Sequence, residues 1–330
     1  DTVDGDTSSI SALLSDPGTD GEVSLREAVI AANNTAGDDT IHLTGGETYS
    51  LTLTGSEEDD SETGDLDIKD NGEIVIQTVG NGTATIDAGG INGLDDRVFE
   101  IQSNGSLKLE RLQITGGLAS GLSPSGGAIL VNSDANLELT QSILTGNEAS
   151  SGGAIFNDSG EMSIDRSIIS GNTTSLFLPS RGGGIVNDHG VVTITQTTIS
   201  NNSSDSLGAG ILNVGGDNFE YATLNIDNST ISGNITPSAG GGIFNTGGIV
   251  NINNSTVSGN SANIGGGIDN RWYATANITN STITDNSGSY YAGVYNYDVA
   301  VVGNTIIAGN ESNRAACGGK RRSCGIGASA

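Results

Sequence analysis

GGGIFN, at Gly240–Asn245, decides the fold because the chain says it again and again. Variants stand at Gly152–Asn157 (GGAIFN), Gly182–Asn187 (GGGIVN), Gly208–Asn213 (GAGILN), Gly265–Asn270 (GGGIDN) and Tyr291–Asn296 (YAGVYN). A second phrase alternates with the first. It begins as SILTGN ending at Asn147 and SIISGN at Asn172, and it returns ending at Asn202, Asn234, Asn260, Asn286 and Asn310. Self-similarity at a period of roughly 25–30 residues marks a stacked repeat.

Between the phrases lie runs of three to five residues, such as MSI, TLNI and VNINN. They are too short for helices and have the composition of strands. Short runs with no hairpin dipeptide between them suit a coil that winds once and stacks on itself. The expected fold is all-β, a right-handed parallel β-helix of about ten turns, with neighbouring strands ~4.8 Å apart. Ile155, Ile185, Ile211, Ile243, Ile268 and Val294 then form one inward column. Each such side chain, fully buried, contributes roughly 1.5–3 kcal/mol. The asparagines that close the phrase form a second column, whose amides can bond from turn to turn and whose residue type tolerates a sharp corner. The glycines before each Ile read as corner residues with positive φ.

Alternation of strand faces places the residue before each corner Asn outward. That column reads Phe156, Val186, Leu212, Phe244, Asp269, Tyr295, and an exposed apolar stripe is a candidate groove for a sugar or a partner. Asp269 is its one charge, and Arg271, Trp272 and Tyr273 follow directly, with Tyr297 one turn on. A carboxylate and a guanidinium beside aromatic faces supply acid–base capacity, hydroxyl recognition and stacking. Asp269 and Arg271 are therefore candidate catalytic residues. Trp272, Tyr273, Tyr295, Tyr297 and Phe244 are candidate binding residues. The bland alternative is a turn beside a decorated loop.

A second candidate pairs Asp158 with Asp188, each directly after a corner Asn, with His189 next to the latter. In register, their backbones would lie ~5 Å apart. Such carboxylates raise one another's pKa or recruit a cation such as Ca²⁺, and at that separation they suit glycoside hydrolysis. Asp188 is accordingly a catalytic candidate, Asp158 and Asp188 a candidate metal pair, and His189 a candidate binding residue. Asn-Asp-Ser-Gly and Asn-Asp-His-Gly are also ordinary turn sequences.

The 330 residues carry 51 glycines, 4% aromatics, and 39 acidic against 12 basic side chains, for a net charge of −27. Few aromatics and many glycines suit a thin, elongated core. So acidic a surface disfavours nucleic acid and anionic membranes as partners and suits divalent cations. No run approaches the ~18 apolar residues of a membrane helix. The chain does not begin with Met and shows no signal peptide, which reads as a processed mature form. Cys317 and Cys324 lie close enough together to form a disulfide in an oxidising compartment.

Residues 1–22 are polar and turn-rich and read as a lead-in loop. Val23–Asn34 (VSLREAVIAANN) carries a capping box, Ser24 with Glu27, and a staple, Val23 with Ala28. The predicted short helix would cover the open end of the aliphatic core. Residues 1–36 thus form a lead-in and cap, 37–310 the β-helix and 311–330 a tail or second cap. Six carboxylates between Glu57 and Asp65, with Asp67 just after, read as a protruding acidic loop or a weak Ca²⁺ site. Longer connections at 173–181, 214–222 and 271–274 bring in Phe177, Phe219, Tyr221, Trp272 and Tyr273, and solenoids place ligand sites on such loops.

Three stretches carry a resemblance. SLREA at Ser24–Ala28 with AAN and DTIHL, GDLDI at Gly64–Ile68, and TIDAGGINGLDDRVFEI from Thr85 to Ile101 resemble the amino-terminal domain of bacterial proteins named for the motif CSLREA. The cysteine of that motif is Val23 here. The GG-[AG]-I-x-N repeat is similar to that of polymorphic outer-membrane and adhesin-like proteins. The resemblance implies a right-handed parallel β-helix, secreted or at the cell surface, that acts as an adhesin-like or glycan-binding module, with a purely structural spacer as a further reading. A polysaccharide-degrading glycosidase or lyase is the alternative it leaves open. In either case the implied partner is a polysaccharide or cell-surface glycan.

Overall fold

The computed structural model describes residues 1–55, 59–69, 72–120, 124–174, 180–216 and 222–314. Phe177, Phe219, Tyr221, Glu57, Glu58, Cys317 and Cys324 lie outside the described residues, as does the proposed tail from 315 on.

The chain forms a parallel β-solenoid. A first sheet of ten strands begins at Asp39–Thr44 and ends at Val299–Gly303; a second of ten runs from Thr48–Ser50 to Ile306–Ala308; a third of nine runs from Leu66–Ile68 to Val294–Asn296. Every pairing is parallel and one turn apart, and the predicted column holds in register: Ile155 on Ile185, Ile211, Ile243, Ile268 and Val294. All but Val294 are fully buried in one continuous aliphatic core. Two smaller sheets lie outside these three, and the last strand, Glu311–Arg314, carries the solenoid past Asn310 by pairing with Ser287–Tyr290.

The repeated asparagines, buried except for Asn296 and Asn310 on the last turn, form ladders, although they are not the left-handed corners. Asn157 Nδ2 donates to Asn187 Oδ1 at 2.8 Å, and the chain of amides continues through Asn213, Asn245, Asn270 and Asn296 at 2.7–2.8 Å. The second phrase builds a parallel ladder from Asn147 through Asn172 to Asn310 at 2.9–3.1 Å. The left-handed residues flank these asparagines, as at Gly171 and Gly233 before and Ser159 and His189 after. Of the glycines in GGGIVN, Gly182 alone has positive φ. Gly183 is glycine for another reason: a Cβ there would stand 2.3 Å from the Ser203 carbonyl oxygen of the next turn.

The helix Leu25–Asn33 begins at the predicted capping box, with both the Ser24 and the Glu27 side-chain bonds present. Leu25, Val29 and Ala32 join the solenoid core and close its first turn. Arg26 is fully buried: its guanidinium pairs with Asp1 at 2.8 Å and donates to the carbonyls of Ser61, Gly64 and Asp65. The lead-in is not all loop, because Ile10–Ser15 forms a helical turn capped by Ser9, with Leu13 buried. Among the described residues, no helix is long and apolar enough to cross a membrane.

Candidate functional site

The expected outward stripe faces away from the main core, but most of it is not exposed. Val186, Leu212, Phe244 and Asp269 are buried; Phe156 and Tyr295 are half-buried. The cause lies four residues upstream. Gly182, Gly208, Gly240 and Gly265 each take positive φ and lay the backbone over the side chain four positions on. A Cβ on Gly240, for instance, would stand 2.6 Å from Phe244 Cβ. Leu207, Ala239 and Ile264, on the covering segments, complete a second small core with Val186, Leu212 and Phe244. Phe244 is thus fully buried, with its ring 5.9 Å from that of Trp272, and has no face open to a ligand.

Strand Ile268–Arg271 changes what this second core holds. Asp269 sits in register between Phe244 and Tyr295, and Arg271, two residues on, shares its side of the strand. Arg271 folds back: Nε donates to Asp269 Oδ1 at 2.6 Å, and Nη2 pairs with Oδ2. Its guanidinium lies 5.2 Å from the ring centre of Phe244, 4.9 Å from that of Trp272 and 5.1 Å from that of Tyr295. Tyr291 stacks on Tyr295 at 4.9 Å. The sequence reading passed over Tyr291, yet a signal was there, since Tyr291 holds the place of the left-handed glycine in the repeat and keeps that conformation at φ 54°. Burial pushes the Asp269 carboxyl up to about 6, against the hydrogen bond and charge of Arg271. Burial also raises the Tyr295 hydroxyl.

The three aromatics on the outside of this cage stay in solvent. Trp272 is 52% exposed, Tyr273 77% and Tyr297 51%. Trp272 and Tyr273 are consecutive and both left-handed, at φ 59° and 67°. The paired turn has Gly247 at the position of Trp272, bonded through its N–H to the Trp272 carbonyl. Asp298, also missed by the sequence reading, fixes the bend by accepting from the Tyr273 N–H at 2.7 Å. Bulky residues at positive φ are strained by roughly 1–2 kcal/mol each, and such strain gathers at functional positions.

Asp158 and Asp188 are register partners, as the sequence predicts. Asp188 Oδ1 lies 2.6 Å from His189 Nδ1 and accepts from it when that nitrogen carries the proton, while Asp158 points into solvent with Ser159 as neighbour. The structure does not bring these residues near Asp269. His189 shares its column with Gly215 and Gly247, on the path toward Trp272.

In the acidic stretch, Asp59, Asp60 and Glu62 are exposed, as a protruding loop requires. Asp65 is corrected: it and Asp67 are buried, and they gather with Glu100 so that one oxygen of each lies within 4.8 Å of the others. Arg97 bridges two of the three, pairing with Asp65 at 3.2 Å and with Glu100. Asp67 accepts from the Ser61 N–H at 2.9 Å, and Glu100 from Asn132 at 2.8 Å. Burial drives the Asp65 carboxyl well above the usual carboxylate range against the pull of Arg97. With the Arg97 guanidinium paired to two of the three carboxylates, the cluster is a structural knot joining the early turns.

No protein-family model matches the chain, and no curated protein does. Among solved structures, the chain is similar to the A-module of the mannuronan C-5 epimerase AlgE6 of Azotobacter vinelandii. The two are 14% identical over 87% of this chain and 96% of that one, with a TM-score of 0.39.

Proposed function

We propose that the protein is a secreted or cell-surface β-solenoid of the adhesin-like, CSLREA-related kind, and that it binds glycans at the Trp272–Tyr273–Tyr297 corner. One observation carries the reading: two consecutive aromatics held in a left-handed bend with their rings open to water. The corner that carries them is one residue longer than the one before it, where Gly247 and Gly248 alone separate Thr246 from Ile249, and both rings stand outside the stack. Exposed aromatic faces stack on sugar rings, and the caged Arg271 beneath Trp272 holds that ring in one orientation. Preorganised rings lose little entropy on binding.

The chain has one tryptophan, so its fluorescence reports on this corner alone. Titration with neutral and uronic-acid oligosaccharides is expected to shift the emission, and Trp272→Ala and Tyr273→Ala to abolish retention in glycan-containing gels. Native protein that shows neither shift nor retention across the panel refutes the reading.

A second reading, a polysaccharide-degrading enzyme, draws on Asp269 at about 6, a value suited to a general acid. It requires Arg271 to swing off a fully buried carboxylate. A screen of polymers for new reducing ends or unsaturated products, repeated with Asp269→Asn, tests it.

A further inference from the structure

A different surface carries an inference that goes beyond glycan binding. The second sheet turns its outer face to solvent through strands Thr198–Ser200, Thr230–Ser232, Thr256–Ser258 and Thr282–Thr284. They pair without slippage, Thr on Thr and Ser or Thr on Ser, over buried Ile199, Ile231, Val257 and Ile283. Both outward positions of every one of these strands thus carry a hydroxyl. The two columns continue in register to Gln113 and Thr115 on one side and Ile306 and Ala308 on the other.

Two facts separate this face from an ordinary solvated sheet. From Gln113 to Ala308 no outward residue of the sheet is charged, in a chain of net charge −27. The first sheet, equally outward, carries Lys108, Glu138, Asp165 and Asp227. The polar groups of the first sheet also bond to one another: Thr195 donates to Asp165 at 2.7 Å, Asn253 to Asp227 at 2.7 Å and Asn251 to Asn225 at 2.8 Å. Among the described residues, the outward hydroxyls of the four second-sheet strands have no protein partner at all.

The result is a neutral lattice of hydroxyl and methyl groups, about 4.8 Å apart between strands and about 6.6 Å along them. Threonine, at five of the eight outward positions, is stiff at χ1, so those hydroxyls are set before any partner arrives. A partner that uses it must be uncharged, rigid and periodic in two dimensions. It must also exchange hydrogen bonds with hydroxyls while tolerating methyls. A single soluble polysaccharide chain is periodic in one dimension only. The oxygen atoms on the faces of an ice crystal repeat in two dimensions at closely similar distances. We propose that the outer face of the second sheet, centred on Thr230 and Thr256, binds ice.

The test uses the full chain. A single ice crystal held in its solution should become faceted and resist growth below the melting point, and the protein should partition into slowly growing ice. Thr230→Lys and Thr256→Lys should each lose both effects, whereas Thr193→Lys, the same change on the first sheet, should keep them. Circular dichroism confirms that each variant is folded; if a lysine variant is not, Thr256→Tyr, which suits a strand, takes its place. Native protein without faceting, thermal hysteresis or uptake into ice overturns the proposal. So does activity that survives both second-sheet variants, or uptake by powdered chitin or cellulose without any effect on ice. The tryptophan titration is independent, so either proposal can fail alone.

Discussion

Truncating Asn213 to alanine is the sharpest test of what holds the turns together. Asn213 is fully buried; it accepts from Asn187 at 2.8 Å and donates to Asn245 at 2.8 Å and to the Ala222 carbonyl at 3.3 Å. Asn213→Ala therefore strands Asn245 Oδ1 and weakens the bonding of Asn187, which retains the Gly190 carbonyl at 2.9 Å. A buried polar group left without a partner costs ~1–3 kcal/mol, so the variant should lose on the order of 2–4 kcal/mol. Asn225 is the internal control. It accepts from Asn251 at the same 2.8 Å but on the solvent side of the first sheet, where water replaces the lost partner and Asn225→Ala should cost about 0.5–1 kcal/mol. Urea unfolding followed by circular dichroism measures both, and hydrogen exchange at Ile211 and Ile243 shows whether the loss is local, as nearest-neighbour stacking requires. Equal losses in the two variants would refute the claim that burial of the ladder, rather than amide pairing itself, stabilises the stack.

Tyr273→Gly should raise stability by ~1 kcal/mol, because a mostly exposed ring at φ 67° gives way to a residue at ease there. The same variant should weaken glycan retention, and a lower melting temperature would argue against stored strain. Asp269 titrates near 6 when folded and near 3.9 when unfolded, so its contribution is fully present below about pH 4 and is lost as pH rises through about 6, a difference of up to ~3 kcal/mol. The gap in stability between native protein and Asp269→Asn should change across that window, and a gap independent of pH between 4 and 7 contradicts it. Gly183→Ala, whose Cβ would meet a carbonyl oxygen at 2.3 Å, should disrupt the turn. Gly259→Ala, left-handed but with its nearest neighbour at 3.9 Å, should cost only ~1 kcal/mol by thermal melting.

The fold was legible because strand faces alternate with period two and turns recur with one phrase, so a single inward Ile predicts its whole column. The capping helix was legible because Ser24 and Glu27 stand at the spacing the first turn of a helix demands. Exposure was harder. Phe244 points away from the main core, and alternation alone calls that outward; what buries it is Gly240, whose left-handed turn brings the preceding chain back over the ring. The burial of Asp65 is hidden from the sequence for a related reason. Asp65 lies far from Arg97 in sequence, and local composition says nothing of a counter-charge supplied by the next turn. The useful signal is the broken repeat. Where the preceding turn places Gly247 and Gly265, the last turns place Trp272 and Tyr291, and both keep the left-handed conformation at the expense of backbone strain, as Ser159 and His189 do earlier in the column of Trp272. A glycine holds the same conformation one turn away, at Gly247 and at Gly265, without that strain. It is located at the ends of the two aromatic faces that enclose Arg271, and it ties the proposed binding corner to positions at which the repeat departs from its own rule.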